Sequence, residues 1–153
     1  MTRMHTAATL LALAAAAPLA QADRVRTATP LPAYTQECGS CHVAYAPGLL
    51  PAASWQRLMG RLSTHYGTDA SLDATMTAAL SAWLNANAGT PKRAREEPAQ
   101  DRITRSAWFV REHREVEAAT WKRPAIQSPS NCAACHPRAD QGDFDEHGIR
   151  IPR

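Results

Sequence analysis

The chain has 153 residues, enough for one domain or for two very small ones. Without Arg3, which falls in the N-terminal segment discussed next, 16 Lys and Arg face 14 Asp and Glu. This near balance excludes the dominant basic surface of a nucleic-acid protein. The charge is uneven: residues 23–90 hold four bases and four acids, whereas 91–153 hold twelve and ten, so the second half is expected to be the more solvated or the more involved in docking.

Residues 1–22 read as a cleaved export signal. A short basic start with Arg3 precedes an apolar run, Ala7 to Ala17, and Ala20-Gln21-Ala22 fits a small-residue cleavage site. About eleven apolar residues are too few to cross a bilayer, which takes about 20. The mature protein is therefore expected to begin at Asp23 in a bacterial periplasm. Residues 23–90 form a first unit, 91–101 a charged linker containing Pro98, and 102–153 a second unit. Units of this size bury proportionally little surface and need a staple of some kind.

Residues 23–32 read as extended. A short helix over Ala33–Cys41 leads into Cys38-Gly39-Ser40-Cys41-His42, and Pro47, Gly48 and Pro51 make the next stretch a loop. Ser54 is the expected cap of a helix carrying Trp55, Leu58, Leu62 and His65 on one face, ended by Gly67. Ser71 is the expected cap of the next, with Leu72, Met76, Leu80 and Trp83 on its apolar face and Gly89-Thr90-Pro91 closing it. A third amphipathic helix is expected from about Ile103 to Trp121, with either Ala107, Val110 and His113 or Phe109, His113 and Val116 on its buried side. Pro124 stops it, a Ser/Pro turn region leads to Cys132-Ala133-Ala134-Cys135-His136, and the tail beyond Pro137 is polar and irregular. No segment alternates as a half-buried strand would. The fold class is all-α.

The Cys-x-x-Cys-His spacing occurs twice and uses all four cysteines. It is the pattern of covalent haem attachment: two thiols three apart bond one side of a porphyrin, and the next imidazole is placed under the iron. One zinc site built from both pairs would have them roughly 15–20 residues apart rather than about ninety. Two disulfides suit an exported chain, but neither zinc nor disulfide chemistry explains a His after the second Cys in both copies. Two haems also supply the missing core. Trp55, Leu58, Leu62, Leu80, Trp83 and Phe109 are candidates to touch them, with ordinary helix packing as the plain alternative for each.

The second axial ligand decides the chemistry, because an iron held on both sides transfers electrons and an open one binds small molecules. The remaining candidates are His65, His113, His147, Met59 and Met76. His65 is favoured for haem 1, with the methionines as rivals. For haem 2, a ligand on a helix is better supported than one in a loose acidic tail, which favours His113 and leaves His147 as the alternative.

The residues quoted, together with Glu37 to Tyr45, Leu49-Leu50-Pro51-Ala52, His65-Tyr66-Gly67, Trp108 to His113, Asn131 to His136 and Gly142-Asp143-Phe144, resemble the bacterial dihaem cytochrome c family over nearly the whole mature chain. The resemblance implies a class I cytochrome c-like N-terminal domain and a small, partly irregular C-terminal haem domain. It implies haem c on Cys38 and Cys41 and on Cys132 and Cys135, with two histidines on each iron, His42 and His65 on the first and His136 with either His113 or His147 on the second. It also implies an electron carrier rather than an enzyme, fed by a membrane b-type cytochrome and donating to a small oxygen-binding monohaem cytochrome. The chain is expected to act as a monomer. The rival from another class is a haem enzyme or a gas- or peroxide-binding sensor with one open iron.

Overall fold

The computed structural model describes residues 29, 31–90, 94 and 96–153; the expected export signal and the start of the expected linker lie outside them. Among the described residues there is no strand, only one isolated bridge between His65 and Thr68. No helix there is long and apolar enough to cross a membrane.

Helix α1 spans Pro32–Gly39, with Pro32 in the first turn, where its missing N–H costs nothing. Helix α2, Ala52–Met59, starts after Pro51, whose carbonyl accepts from the Ser54 and Trp55 amides. Ser54 is therefore not the cap; it is fully buried inside the first turn. Helix α3 spans Ala74–Asn87 and is capped by Asp73, whose Oδ1 accepts from the Met76 amide at 2.9 Å. The expected cap, Ser71, instead donates its own amide to Asp69. Helices α2 and α3 pack on each other and, with α1 and the loop before α2, enclose Tyr34, Leu50, Trp55, Leu58, Met59, Leu80 and Leu84. Trp55 is tied in by its indole N–H, which donates to the Pro47 carbonyl at 2.8 Å.

Two expected helices are shorter than the sequence pattern suggests. The face running from Trp55 to His65 breaks at Met59: Gly60 caps α2, a 3-10 turn covers Leu62–Thr64, and His65 sits on a tight turn. Tyr66 and Gly67 both have positive φ there, 51° and 96°, and Thr68 returns its amide to the His65 carbonyl. The long helix expected over Ile103–Trp121 is also absent. Ser106 caps a separate short helix, α4, Ala107–Glu112, and 3-10 turns cover Ile103–Arg105 and Thr120–Lys122. The charged residues after His113 offer no apolar stripe to bury, and Val110, expected inside, is exposed.

The second half has no core cluster comparable to the first; its buried apolar residues are Phe109, Ile126 and Ala139. The two halves are joined by an ion pair. Residues 96–101 of the expected linker fold onto the first half, where buried Asp101 accepts from Arg57 at 2.6 Å and Arg61 at 3.0 Å. Arg57 also pairs with Glu97.

The Arg57 hydrogen bonds hold the Asp101 carboxyl below its ordinary value of 3.8, against the opposing effect of burial. A depressed folded-state pKa contributes stability above the unfolded value and loses it as pH falls through the folded one. Asp101→Asn is therefore expected to lower unfolding free energy by about 1–2 kcal/mol at pH 7, a charged hydrogen bond discounted for exposed arginine partners. In urea titrations from pH 7 to 3 the gap from the parent protein should narrow only below about pH 4; a gap independent of pH would refute this account.

Candidate haem sites

Both Cys-x-x-Cys-His motifs lie on a helical turn. Cys38 is in the last turn of α1, with Cys41 and His42 just beyond it, and Cys132–Ala134 is a 3-10 turn whose Cys132 carbonyl accepts the His136 amide at 2.8 Å. A spacing of three on such turns puts both thiols on one side. No disulfide joins any of the four cysteines. Burial pushes Cys38 and Cys132 up to about 11, and burial also raises Cys135. The pairs do not converge: among the described residues no three His, Cys, Asp or Glu side chains surround a point that could hold a metal ion.

The histidines do converge, in two pairs. His42 faces His65 with ring centroids 6.3 Å apart and planes within 22°. His113 faces His136 at 6.2 Å, with planes at 77°. Imidazole nitrogens sit about 2.0 Å from a bound metal, with ring centres about 1.1 Å behind them, so two rings on opposite sides of one metal have centroids about 6.2 Å apart. Both gaps are of the size that an iron held between the two rings would require.

Hydrogen bonds aim the rings. His42 Nδ1 donates to the Val43 carbonyl at 2.7 Å and His113 Nδ1 donates to the Phe109 carbonyl at 2.9 Å. A carbonyl can only accept, so the proton is on Nδ1 and the Nε2 lone pair is free for a metal. Stacking adds support: Tyr45 lies on His42 at 4.8 Å and Phe109 on His113 at 3.9 Å. His65 Nδ1 is buried without a partner. Burial first, then the facing His42, lowers the His65 pKa; burial and then His113 lower that of His136. Both effects favour the neutral imidazole, the form that donates to iron.

The other candidates sit elsewhere. His147 is on the surface, 86% exposed, with Nδ1 bonded to Asp145, whose hydrogen bond raises its pKa. Met59 is a buried member of the core cluster, and Met76 packs against that cluster. Trp55, Leu58 and Leu80 belong to the same core, with Leu62 and Trp83 against it; Leu58 also borders the cavity beside His65. Three site neighbours escaped the helical pattern. Tyr45 stacks on His42 and donates its hydroxyl to the Ser130 carbonyl at 2.7 Å, Trp121 lies 5.8 Å from His113, and Phe144 lies 5.3 Å from His136. The signal available for Tyr45 and Phe144 is an aromatic residue in a short polar stretch near a motif.

Residues 34–144 match the model of the dihaem cytochrome c family. A dihaem cytochrome c from Shewanella baltica OS155 is 38% identical, with a TM-score of 0.71 over 79% of this chain and 92% of that one. A structure of the dihaem cytochrome c from Rhodobacter sphaeroides is 39% identical, with a TM-score of 0.67 over 77% of this chain and 99% of that one. A second structure from that organism gives 38% and 0.68 over the same shares. No curated protein matches the chain.

Tyr45 connects His42 to the segment that carries the second motif, which makes it a strut between the two sites. Tyr45→Phe keeps the ring and removes the hydroxyl, and is expected to cost about 1 kcal/mol of unfolding free energy by losing the bond to Ser130. Equilibrium denaturation checks this, and an unchanged midpoint would dismiss the strut.

Proposed function

Because the chain belongs to the dihaem cytochrome c family and so carries two c-type haems, we propose that it is a periplasmic electron carrier with a histidine on each face of both irons. The family itself is one of electron-transfer cytochromes. The observation that carries the finer reading is the pair of imidazole separations, 6.3 and 6.2 Å, each of the size that two ligands of one metal require.

In this reading Cys38 and Cys41 would tether the first haem and His42 and His65 would hold its iron; Cys132 and Cys135 would tether the second, with His136 and His113 holding its iron. When bound, each haem supplies an iron that stores and releases one electron. The chain's part is to hold that iron from both sides so that neither geometry nor ligand set changes with oxidation state. The Phe109 carbonyl and ring support His113 in the role, and the exposure and Asp145 pairing of His147 count against the tail. Two imidazoles favour ferric iron, whereas a methionine would raise the potential, so both centres are low-spin and of low potential. With no open iron the protein works as a carrier and not as an enzyme.

The apolar N-terminal segment supports export to the periplasm. The motif resemblance supports a membrane b-type cytochrome as donor and a small oxygen-binding monohaem cytochrome as acceptor. A pyridine haemochrome assay is expected to return two c-type haems per chain. Low-temperature electron paramagnetic resonance of the oxidised protein at neutral pH is expected to show two low-spin ferric signals. His65→Ala and His113→Ala should each convert one of them to high spin, and His147→Ala should leave both intact. A high-spin signal from the unaltered protein would replace the carrier reading with an open-iron enzyme or sensor.

A further inference from the structure

Two cavities adjoin the histidine pairs and meet at a single arginine. One, of about 230 Å³, is bordered by Leu58, His65 and Tyr66; the other, of about 570 Å³, by Phe109, His113 and Trp121. Only Gln100 and Arg102 line both. The backbone reaches this junction through two consecutive residues of positive φ, Gln100 at 61° and Asp101 at 55°, a conformation that L-residues adopt at a cost and that the surroundings must enforce. The enforcement is visible. The Asp101 carboxylate is held by Arg57 and Arg61, and the Tyr66 hydroxyl donates to the carbonyls of Gln100 and Asp101 at 3.0 and 3.1 Å. Arg102 then folds back so that its guanidinium carbon lies 4.1 Å from the Tyr66 ring centre.

This arginine differs from its neighbours. Arg57 and Arg61 are neutralised by Asp101 and Glu97, whereas Arg102 is half-buried on an aromatic face and, among the described residues, pairs with no carboxylate. A haem brings two carboxylate side chains, and the planar guanidinium fork suits a carboxylate in two-point contact. A fixed cation also favours the reduced state of any nearby iron, because reduction adds a negative charge.

We propose that Arg102 is a positioning residue common to the two haem sites: its guanidinium receives haem carboxylate where the sites meet and holds up the reduction potential of both haems. The inference rests on the reading that each haem lies between its two histidines. It predicts that one substitution shifts two centres together and to a similar extent.

The test is a potentiometric titration of the protein with both haems attached, followed by visible absorbance, on the parent and on Arg102→Gln, Arg102→Lys and Arg105→Gln. Arg105 lines the larger cavity only. Arg102→Gln is expected to lower both midpoints by about tenfold in the reduced-to-oxidised ratio, about 59 mV for one electron. Arg102→Lys, which keeps the charge, is expected to stay within about threefold of the parent at both haems. A shift below about threefold at either haem of Arg102→Gln, or an equal effect from Arg105→Gln, overturns the proposal. If Arg102→Gln does not retain two haems, Arg102→Lys decides: a tenfold fall at either centre overturns the charge argument, and retained potentials uphold it. Resonance spectra separate the two readings. Low-spin signals that persist while the potentials fail to move sink the role of Arg102 alone, whereas a high-spin signal in the parent sinks the ligation it rests on.

Discussion

Two imidazoles held about 6 Å apart, twice over, form the constraint to which the rest of this small structure is fitted. One ring of each pair comes directly from an attachment motif, so its position follows from the cysteines beside it. The other has to be brought from elsewhere in the chain and kept from turning. The fold does this locally in two ways. His65 is thrown out by a turn with two successive positive-φ residues, and His113 ends a short helix where the Phe109 carbonyl takes both its amide and its Nδ1 proton. Neither device needs a long helix; each needs an abrupt stop.

The distribution of buried residues fits a chain that shares its core with cofactors. The first half closes a cluster of seven buried apolar residues around α2 and α3. The second half buries far less, and its aromatic residues gather instead around the histidines: Phe109 and Trp121 by His113, Phe144 by His136. Such a unit stands on its haem, its attachment to the first half, and a returning tail in which the Arg150 amide meets the Cys135 carbonyl. The polar joint at Asp101 therefore has two effects. It fixes the second half against α2 and carries Arg102 to the place where the two cavities touch.

Tyr45 forms a second link between the two halves. Its ring backs His42 while its hydroxyl reaches the segment before the second motif, so a residue three positions after the first motif's histidine ties the two motif segments together. Burial raises its pKa to about 12, which keeps the hydroxyl protonated as a donor at any physiological pH. The two halves are thus linked by a charged contact at Asp101 and a neutral one at Tyr45, both adjoining a histidine pair.

The doubled Cys-x-x-Cys-His pattern by itself determined the cofactor class, because thiol spacing and the adjoining imidazole are local chemistry that a linear string preserves. The absence of alternating apolar segments likewise determined the helical class. Leu58 and Leu80 were legible as inward-facing because helical period encodes a face. Helix ends were less legible: the Trp55 to His65 spacing and the Ile103 to Trp121 pattern each suggested a helix longer than the one formed, since periodicity registers apolar positions and not the caps and turns that compete with them. What only the tertiary structure decided is which residues face each other. His65 opposite His42, His113 opposite His136, Tyr45 against Ser130 and Asp101 against Arg57 are pairs 23, 23, 85 and 44 positions apart. Such meetings depend on chain reversals set by a few positive-φ residues and buried hydrogen bonds, and those have no periodic trace in sequence.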